Sequence, residues 1–359
     1  MTHTHNFNAG PAILPASVIA RVREELPNYA GTGISILESS HRSKQYEAIN
    51  QRAIERLTRI MGLSTAHVVC FVQGGASQQF AMLPMNVLQS GRSGGYVLTG
   101  VWAEKAYEEA QRIGSAHIVA SSKEGGYRHI PTPDEFQIGA DTAYLHITSN
   151  NTIYGTQWQQ LPQTHIPLVV DASSDIASRP CDMQHVAMMY AGAQKNLGPS
   201  GVTVVIVHSD FLARMHEQAP VILRYKTHIQ SNSLYNTPPV FSVYVLDLVL
   251  EWIESIGMEA LAAQNLHKAT LIYDSIDQSG GFYRGHAQQD ARSLMNVVFR
   301  LPDEQLEKSF LAEAAAHQMI GLAGHRSAGG IRASLYNALP VASAQVLASF
   351  MREFMRTHG

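Results

Sequence analysis

The chain has 359 residues, 45% hydrophobic and 15% charged, with a formal net charge of -3 and no Lys/Arg block. That length calls for a large α/β domain with a smaller companion. The balance of apolar and charged residues argues against disorder and gives little support to non-specific nucleic-acid or anionic-membrane binding.

From the N-terminus, the Met1–Asn6 stretch has neither an apolar signal core nor an Arg-rich amphipathic pattern, and no apolar run approaches the ~20 residues of a membrane span. Ser43 to Met61 carries Tyr46, Ile49, Ala53, Leu57 and Ile60, which is helical spacing. His67–Val72 is a short β-branched run, and Ala76–Leu88 reads as a helix opened by Gly74-Gly75. A strand at Tyr96–Leu98, a helix from Trp102 to Ile113 and a strand at His117–Val119 follow. The runs Tyr144–Thr148, Leu168–Asp171, Met188–Tyr190 and Val202–Val207 are short and almost continuously apolar, as suits strands buried on both faces of a mostly parallel sheet. Beyond about residue 256 the texture changes: a long helix from Met258 to about Ile276, a strand at Leu294–Phe299, a helix running to His317, a strand at Ile331–Leu335 and a terminal helix. Strands separated by helices in this way predict a smaller α+β domain. The expected division is a large domain over 15–255 and a small one from 1–14 and 256–359.

Two cysteines, Cys70 and Cys181, do not make a disulfide framework, so a reducing, cytoplasmic compartment is expected. The 17 histidines are scattered, with no HExxH and no Cys/His pair at zinc spacing, so no metal is assigned.

Three segments carry chemistry. Gly74-Gly75-Ala76-Ser77 lies between a strand and a helix, where free N–H groups and the helix dipole can hold a phosphate. Taken alone it also passes for an ordinary strand-to-helix turn. The strand Leu168–Asp171 ends in an acid at the edge where parallel α/β sheets gather ligands; alone, Asp171 also reads as a turn cap. Twenty-four residues after Asp171 comes Lys195, in Ala193-Gln194-Lys195-Asn196-Leu197-Gly198, between two apolar strands. A lysine so placed can point inward, and a desolvated amine is what Schiff-base chemistry requires. Phosphate-holding helix start, strand-end acid and strand-end lysine, in that order, are the pattern of a fold-type I pyridoxal-phosphate enzyme.

Five further segments sharpen this: Asn8-Ala9-Gly10-Pro11-Ala12, Ser40-His41-Arg42-Ser43-Lys44, Tyr190–Asn196, Tyr235-Asn236-Thr237-Pro238-Pro239 and Gly324–Ser334. In sequence and order, across nearly the whole chain, they resemble the phosphoserine aminotransferases, class-V members of fold type I. The resemblance implies a large domain with a mostly parallel seven-stranded sheet, a smaller α+β C-terminal domain and a homodimer with shared active sites. It implies pyridoxal phosphate as cofactor, and amino transfer from L-glutamate to 3-phosphohydroxypyruvate, with 4-phosphohydroxy-L-threonine as a further product in some members.

By the same resemblance Lys195 carries the cofactor as a Schiff base and shuttles the substrate proton, and Asp171 keeps the ring nitrogen protonated. Trp102 stacks on the ring, and Thr152 lies near the phenolic oxygen. Ala76, Ser77 and Gln194 contact the cofactor phosphate, and Asn236 and Thr237 reach the phosphate of the neighbouring subunit. Arg332 forks onto the substrate α-carboxylate, while His41, Arg42, His325 and Arg326 receive the substrate phosphate or the glutamate side-chain carboxylate. Some members have an arginine where this chain has Ser77, so here the phosphate site rests on the other four residues. The alternatives are an aminotransferase or lyase of the same fold acting on serine, alanine or glyoxylate, and a cofactor-binding regulatory protein without turnover. A cysteine desulfurase is disfavoured, since it needs a mobile nucleophilic cysteine.

Overall fold

In the computed structural model, residues 4–359 are described; residues 1–3 of the expected 1–14 segment lie outside them. A two-residue strand β1 (His5–Asn6) and helix α1 (Ala16–Glu25) lead to α2 (Lys44–Ile60). In α2 the predicted stripe of Tyr46, Ile49, Ala53 and Leu57 is fully buried, and Ser43 caps the helix by accepting from the Tyr46 N–H at 3.2 Å.

Strands and helices then alternate: β2 (His67–Val72), α3 (Gly75–Val87), β3 (Ser93–Leu98), α4 (Val101–Ile113), β4 (Ser115–Ser121), β5 (Thr142–Thr148), β6 (Leu168–Asp171), β7 (Val186–Gly192) and β8 (Thr203–His208). They form one seven-stranded sheet in the order β2-β8-β7-β6-β5-β3-β4. All neighbours are parallel except at β8, which runs antiparallel to both β7 and β2. One face packs on α2 and the apolar helix α7 (Val240–Ile256), through residues such as Val170, Ile206, Leu246 and Leu250. The other packs on α3 and α4, through Phe80, Leu83, Val169, Tyr190 and Val205. Burial on both faces is why these strands read as unbroken apolar runs. Two short helices, α5 (Ser209–Arg214) and α6 (Tyr225–Gln230), connect β8 to α7.

After α7 come α8 (Met258–Asp277), β9 (Arg284–Gly285), β10 (Asn296–Arg300), α9 (Glu304–Ala316), β11 (Met319–Ile320), β12 (Ile331–Ser334) and α10 (Val341–His358). A small antiparallel sheet, β12-β10-β9, shares a separate apolar core with α8, α9 and α10, built on Ile272, Val297, Phe299, Phe310, Leu347 and Phe354. The N-terminal segment joins that core: β1 pairs in parallel with β11, and Phe7 is fully buried there. Between the two cores runs a buried polar seam. Asn150 donates to Asn296 Oδ1 and Ser174 Oγ at 2.8 Å each, and Asn265 donates to Asn337 Oδ1 and the Ser178 carbonyl, also at 2.8 Å each. Among the described residues no helix is long and apolar enough to cross a membrane.

Candidate active site

The site forms at the carboxyl ends of the parallel strands, where helix starts and strand ends converge. Helix α3 opens on Gly74 (φ +92°) and Gly75 (φ +65°), left-handed backbone that side chains other than glycine strain to adopt. At Gly74 a Cβ would stand 2.5 Å from Gln78 Cβ. The chain therefore turns sharply out of β2, and the first-turn N–H groups, which have no partner within a helix, face a cavity of about 260 Å³. That cavity is lined by Ala76, Ser77, Trp102, Thr152, Asp171, Gln194 and Lys195. Seven residues singled out in the sequence, spread over 120 positions, thus meet in one cavity.

Asp171 ends β6, in register with Thr148 of β5 and Tyr190 of β7. It is 3% exposed, and its Oδ1 accepts from the Ser173 N–H at 3.0 Å. Burial raises its pKa, countered by the Ser173 hydrogen bonds and the nearby Lys195 charge. Lys195 sits in a turn closed on one carbonyl: Leu197 and Gly198 both donate to Ala193 O, at 3.0 and 2.9 Å. The turn aims the side chain back at the strand ends, where Nζ donates to Thr152 Oγ1 at 2.8 Å. Burial lowers the Lys195 pKa to about 8; Asp171 opposes that shift and the Arg332 charge adds to it.

Arg332, on β12, reaches across from the smaller sheet. Its Nη1 donates to the Thr152 carbonyl at 3.3 Å, while its buried Nε has no partner among the described residues. His325, between Gly324 and the exposed Arg326, has its pKa lowered by burial and then by the charges of Arg332, Arg326 and Lys105. Arg332, His325 and Arg326 do not themselves line the cavity, and neither do the remaining candidates. His41 and Arg42 occupy a turn ahead of α2, with Arg42 exposed. Thr237 is exposed; its carbonyl accepts from Gln73, one residue before Gly74, and also from Asn236 Nδ2.

The structure adds residues that no sequence signal singled out. Thr148 is 3% exposed, lines the cavity and leaves Oγ1 without a partner. Asn150, Ser173 and Ser174 complete the floor. Asp175, half-buried four residues after Asp171, has its carboxylate accepting from Ser149 Oγ and, at 3.0 Å, from Gln157 Nε2. Gly10, in the Asn8–Ala12 segment already noted in the sequence, also belongs here: a Cβ on it would come within 3.3 Å of Lys195 Cγ, so the N-terminal segment packs directly on the lysine. The cysteines stay apart from this chemistry: burial pushes the Cys70 thiol up to about 12 and that of Cys181 up to about 11, so neither is an activated thiolate.

This donor set fits pyridoxal phosphate. The helix start suits a phosphate, Asp171 a protonated ring nitrogen, the Trp102 indole a flat ring and the Lys195 amine an aldehyde. The unpartnered Thr148 hydroxyl is the kind of buried polar atom that a bound ligand satisfies.

The sequence profile of the aminotransferase class-V family matches residues 4–347. The chain is 55% identical over 357 residues to the phosphoserine aminotransferase of Geobacillus kaustophilus, covering 99% of each. Among solved structures, the phosphoserine aminotransferase of Bacillus circulans subsp. alkalophilus superposes with a TM-score of 0.98 at 50% identity, covering all of both chains. The pyridoxal-phosphate-bound phosphoserine aminotransferase of Trichomonas vaginalis gives 0.92 at 33% identity, over 98% of this chain and 100% of that one.

Proposed function

The chain belongs to the class-V aminotransferases, in their phosphoserine aminotransferase branch, and on that premise we propose how its residues divide the work. The reaction moves the amino group of L-glutamate to 3-phosphohydroxypyruvate, giving O-phospho-L-serine and 2-oxoglutarate. Pyridoxal phosphate, when bound, supplies the electron sink for the α-carbon chemistry.

Lys195 anchors the cofactor and moves the proton at the substrate Cα. The observation that carries this is its desolvated amine, with a pKa lowered to about 8, held by Thr152 in one cavity with Asp171. Asp171 holds a proton on the ring nitrogen; its burial lets one opposite charge act strongly on it. Trp102 gives the ring a flat wall, Thr152 positions both the Lys195 amine and the phenolic oxygen, and Ala76, Ser77 and Gln194 bind the phosphate. Arg332 takes the α-carboxylate with a planar fork, and its unpartnered Nε leaves donor capacity for that ligand. His41, Arg42, His325 and Arg326 receive the distal anion, whether phosphate or side-chain carboxylate.

The functional unit is a homodimer in which Asn236 and Thr237 complete the neighbouring subunit's phosphate site. Supporting this, Thr237 is exposed and neither residue lines the cavity of its own chain. Residues 15–255 serve as the cofactor-binding domain, with 1–14 and 256–359 as the smaller one; the separate core around Phe299 and Phe310 supports that division. A cytoplasmic location suits two unpaired cysteines.

The deciding experiment is a panel of O-phospho-L-serine, 4-phosphohydroxy-L-threonine, L-serine and L-alanine with 2-oxoglutarate. A pocket reading two extra charges through arginines favours the phosphorylated substrates by roughly ten- to a hundred-fold for each charge-assisted hydrogen bond that depends on the phosphate. Equal kcat/KM for serine and phosphoserine sinks the reading.

A further inference from the structure

His325 and Arg326 project from a loop, and a tight substrate site needs that loop held still. The loop closes on itself at its base, where the Gly324 N–H donates to Gly330 O at 2.8 Å. Its tip is a single turn, with Ala328 and Gly329 both donating to the His325 carbonyl at 2.9 and 2.8 Å. Nothing in these bonds ties the loop to the rest of the protein.

Arg300, the last residue of β10, supplies the tie. Its Nη1 donates to the Ala328 carbonyl at 3.0 Å, and its Nε donates to Glu307 Oε1 at 2.5 Å. Glu307 belongs to the first turn of α9 and is only 7% exposed, so the carboxylate that orients the guanidinium is set in the core. The loop has been pared down to lie on this side chain. Gly329 and Gly330 both have left-handed backbone; a Cβ at Gly330 would stand 2.5 Å from Arg300 Cδ and 2.8 Å from the Phe299 carbonyl, and one at Gly329 3.1 Å from Arg300 Nη1. Arginine is suited to the task because its rigid fork donates in two directions at once, to a carboxylate on one side and a carbonyl on the other.

We propose that Arg300, oriented by Glu307, is a positioning residue for recognition of the substrate's distal anion: it seats the 324–330 loop so that His325 and Arg326 are preorganised. It touches neither substrate nor cofactor. Its contribution is to remove the ordering cost that a free loop would charge to each binding event. This inference rests on the assignment of His325 and Arg326 to the distal anion.

The test compares holoenzyme variants Arg300→Ala, Arg300→Lys, Glu307→Gln and Arg326→Ala, using phosphoserine and alanine as amino donors. Arg300→Ala should raise KM for phosphoserine by about 2- to 12-fold, the ordering cost of one or so side chain, with kcat and the alanine reaction unchanged. Arg300→Lys and Glu307→Gln should fall between it and the parent, since each keeps part of the tie. Tryptic cleavage after Arg326 should quicken in the same order, and this readout is independent of turnover. If phosphoserine and alanine weaken together, or neither KM nor cleavage moves in Arg300→Ala while Arg326→Ala abolishes the preference for phosphoserine, this inference falls alone. If Arg326→Ala itself leaves that preference intact, the parent assignment falls and takes this one with it.

Discussion

Two lysines of this protein are drawn in from solvent, Lys268 buried and Lys195 half-buried, and they live in opposite surroundings. Lys195 projects from the β7–β8 turn into a cavity, with one hydrogen-bond partner, Thr152 Oγ1. Lys268, on α8, is 1% exposed and lines none of the cavities described; its Nζ donates to the carbonyls of Leu335 and Tyr336 at 2.9 and 2.8 Å. Burial depresses both, Lys195 to about 8 and Lys268 to about 7. A lowered pKa therefore does not by itself mark a reactive amine. What separates the two is unspent bonding capacity beside open space: Lys195 faces a cavity that also holds a carboxylate and a helix start, whereas Lys268 stitches the chain after β12 to α8. That difference supports the proposed assignment of Lys195 as the reactive amine, while the bonds of Lys268 are structural.

The sharpest way to break that contrast is to delete each amine. Lys195→Ala should abolish the covalent cofactor adduct trapped by borohydride. It should cut transamination by at least the ~10²–10⁴-fold that a positioned proton-transfer group contributes. Lys268→Met should keep both the adduct and most of the turnover. A borohydride adduct mapped to Lys268, or to any lysine other than Lys195, would overturn the contrast.

Lys268 should show itself in stability instead. Lys268→Met leaves two carbonyls without their donor, at a cost of about 1–3 kcal/mol each, offset in part because an ammonium no longer has to be desolvated. The offset depends on pH. A base whose folded pKa, about 7, lies below the ordinary lysine value of 10.5 gives up a proton on folding. Between those values the unfolded chain holds more protons, so this lysine lets stability rise with pH, and its penalty is complete below about 7. Denaturant melts should accordingly find Lys268→Met least destabilised at pH 7 and below, and most destabilised near pH 10. A deficit that does not change with pH would mean that Lys268 folds already charged.

The same contrast shows what a sequence discloses. That Lys195 and Asp171 face one cavity was legible because strand ends in a parallel sheet are where ligands collect, and because glycines and small residues flank the lysine. Lys268 was not, since on an amphipathic helix beside His267 and Ala269 it has the look of a surface residue. Helix α7 gave no 3.6-residue stripe because it is apolar nearly all round, packed against both α2 and the sheet, with even its Asp247 buried against Arg52 and Arg56. The start of β3 was hidden by Gly94 and Gly95, poor strand formers kept because Tyr144 and Val119 fill the space their side chains would need: a Cβ would lie 2.6 Å from Tyr144 Oη and 2.8 Å from Val119 Cγ2. Arg300 and Glu307, seven residues apart, carry no local pattern at all. Only the tertiary fold brings them under the His325 loop.

The smallest expected effect probes the charges around Lys195 one at a time. Only the unprotonated amine can attack an aldehyde, so the rate at which the cofactor-free chain takes up pyridoxal phosphate should rise with pH and reach half its plateau near about 8. The neighbours act on that midpoint with opposite signs. Asp171 stabilises the ammonium and Arg332 destabilises it. Asp171→Asn should therefore move the midpoint below that of the parent, and Arg332→Gln should move it above. Lys268→Met, far from the cavity, should leave it in place. Rapid-mixing absorbance measurements across pH 6 to 10 read all four curves from uptake alone, independently of turnover. If Asp171→Asn and Arg332→Gln shift the midpoint in the same direction, the environment of Lys195 is set by burial and repacking rather than by these two charges. The contrast with Lys268 would then reduce to access to the cavity.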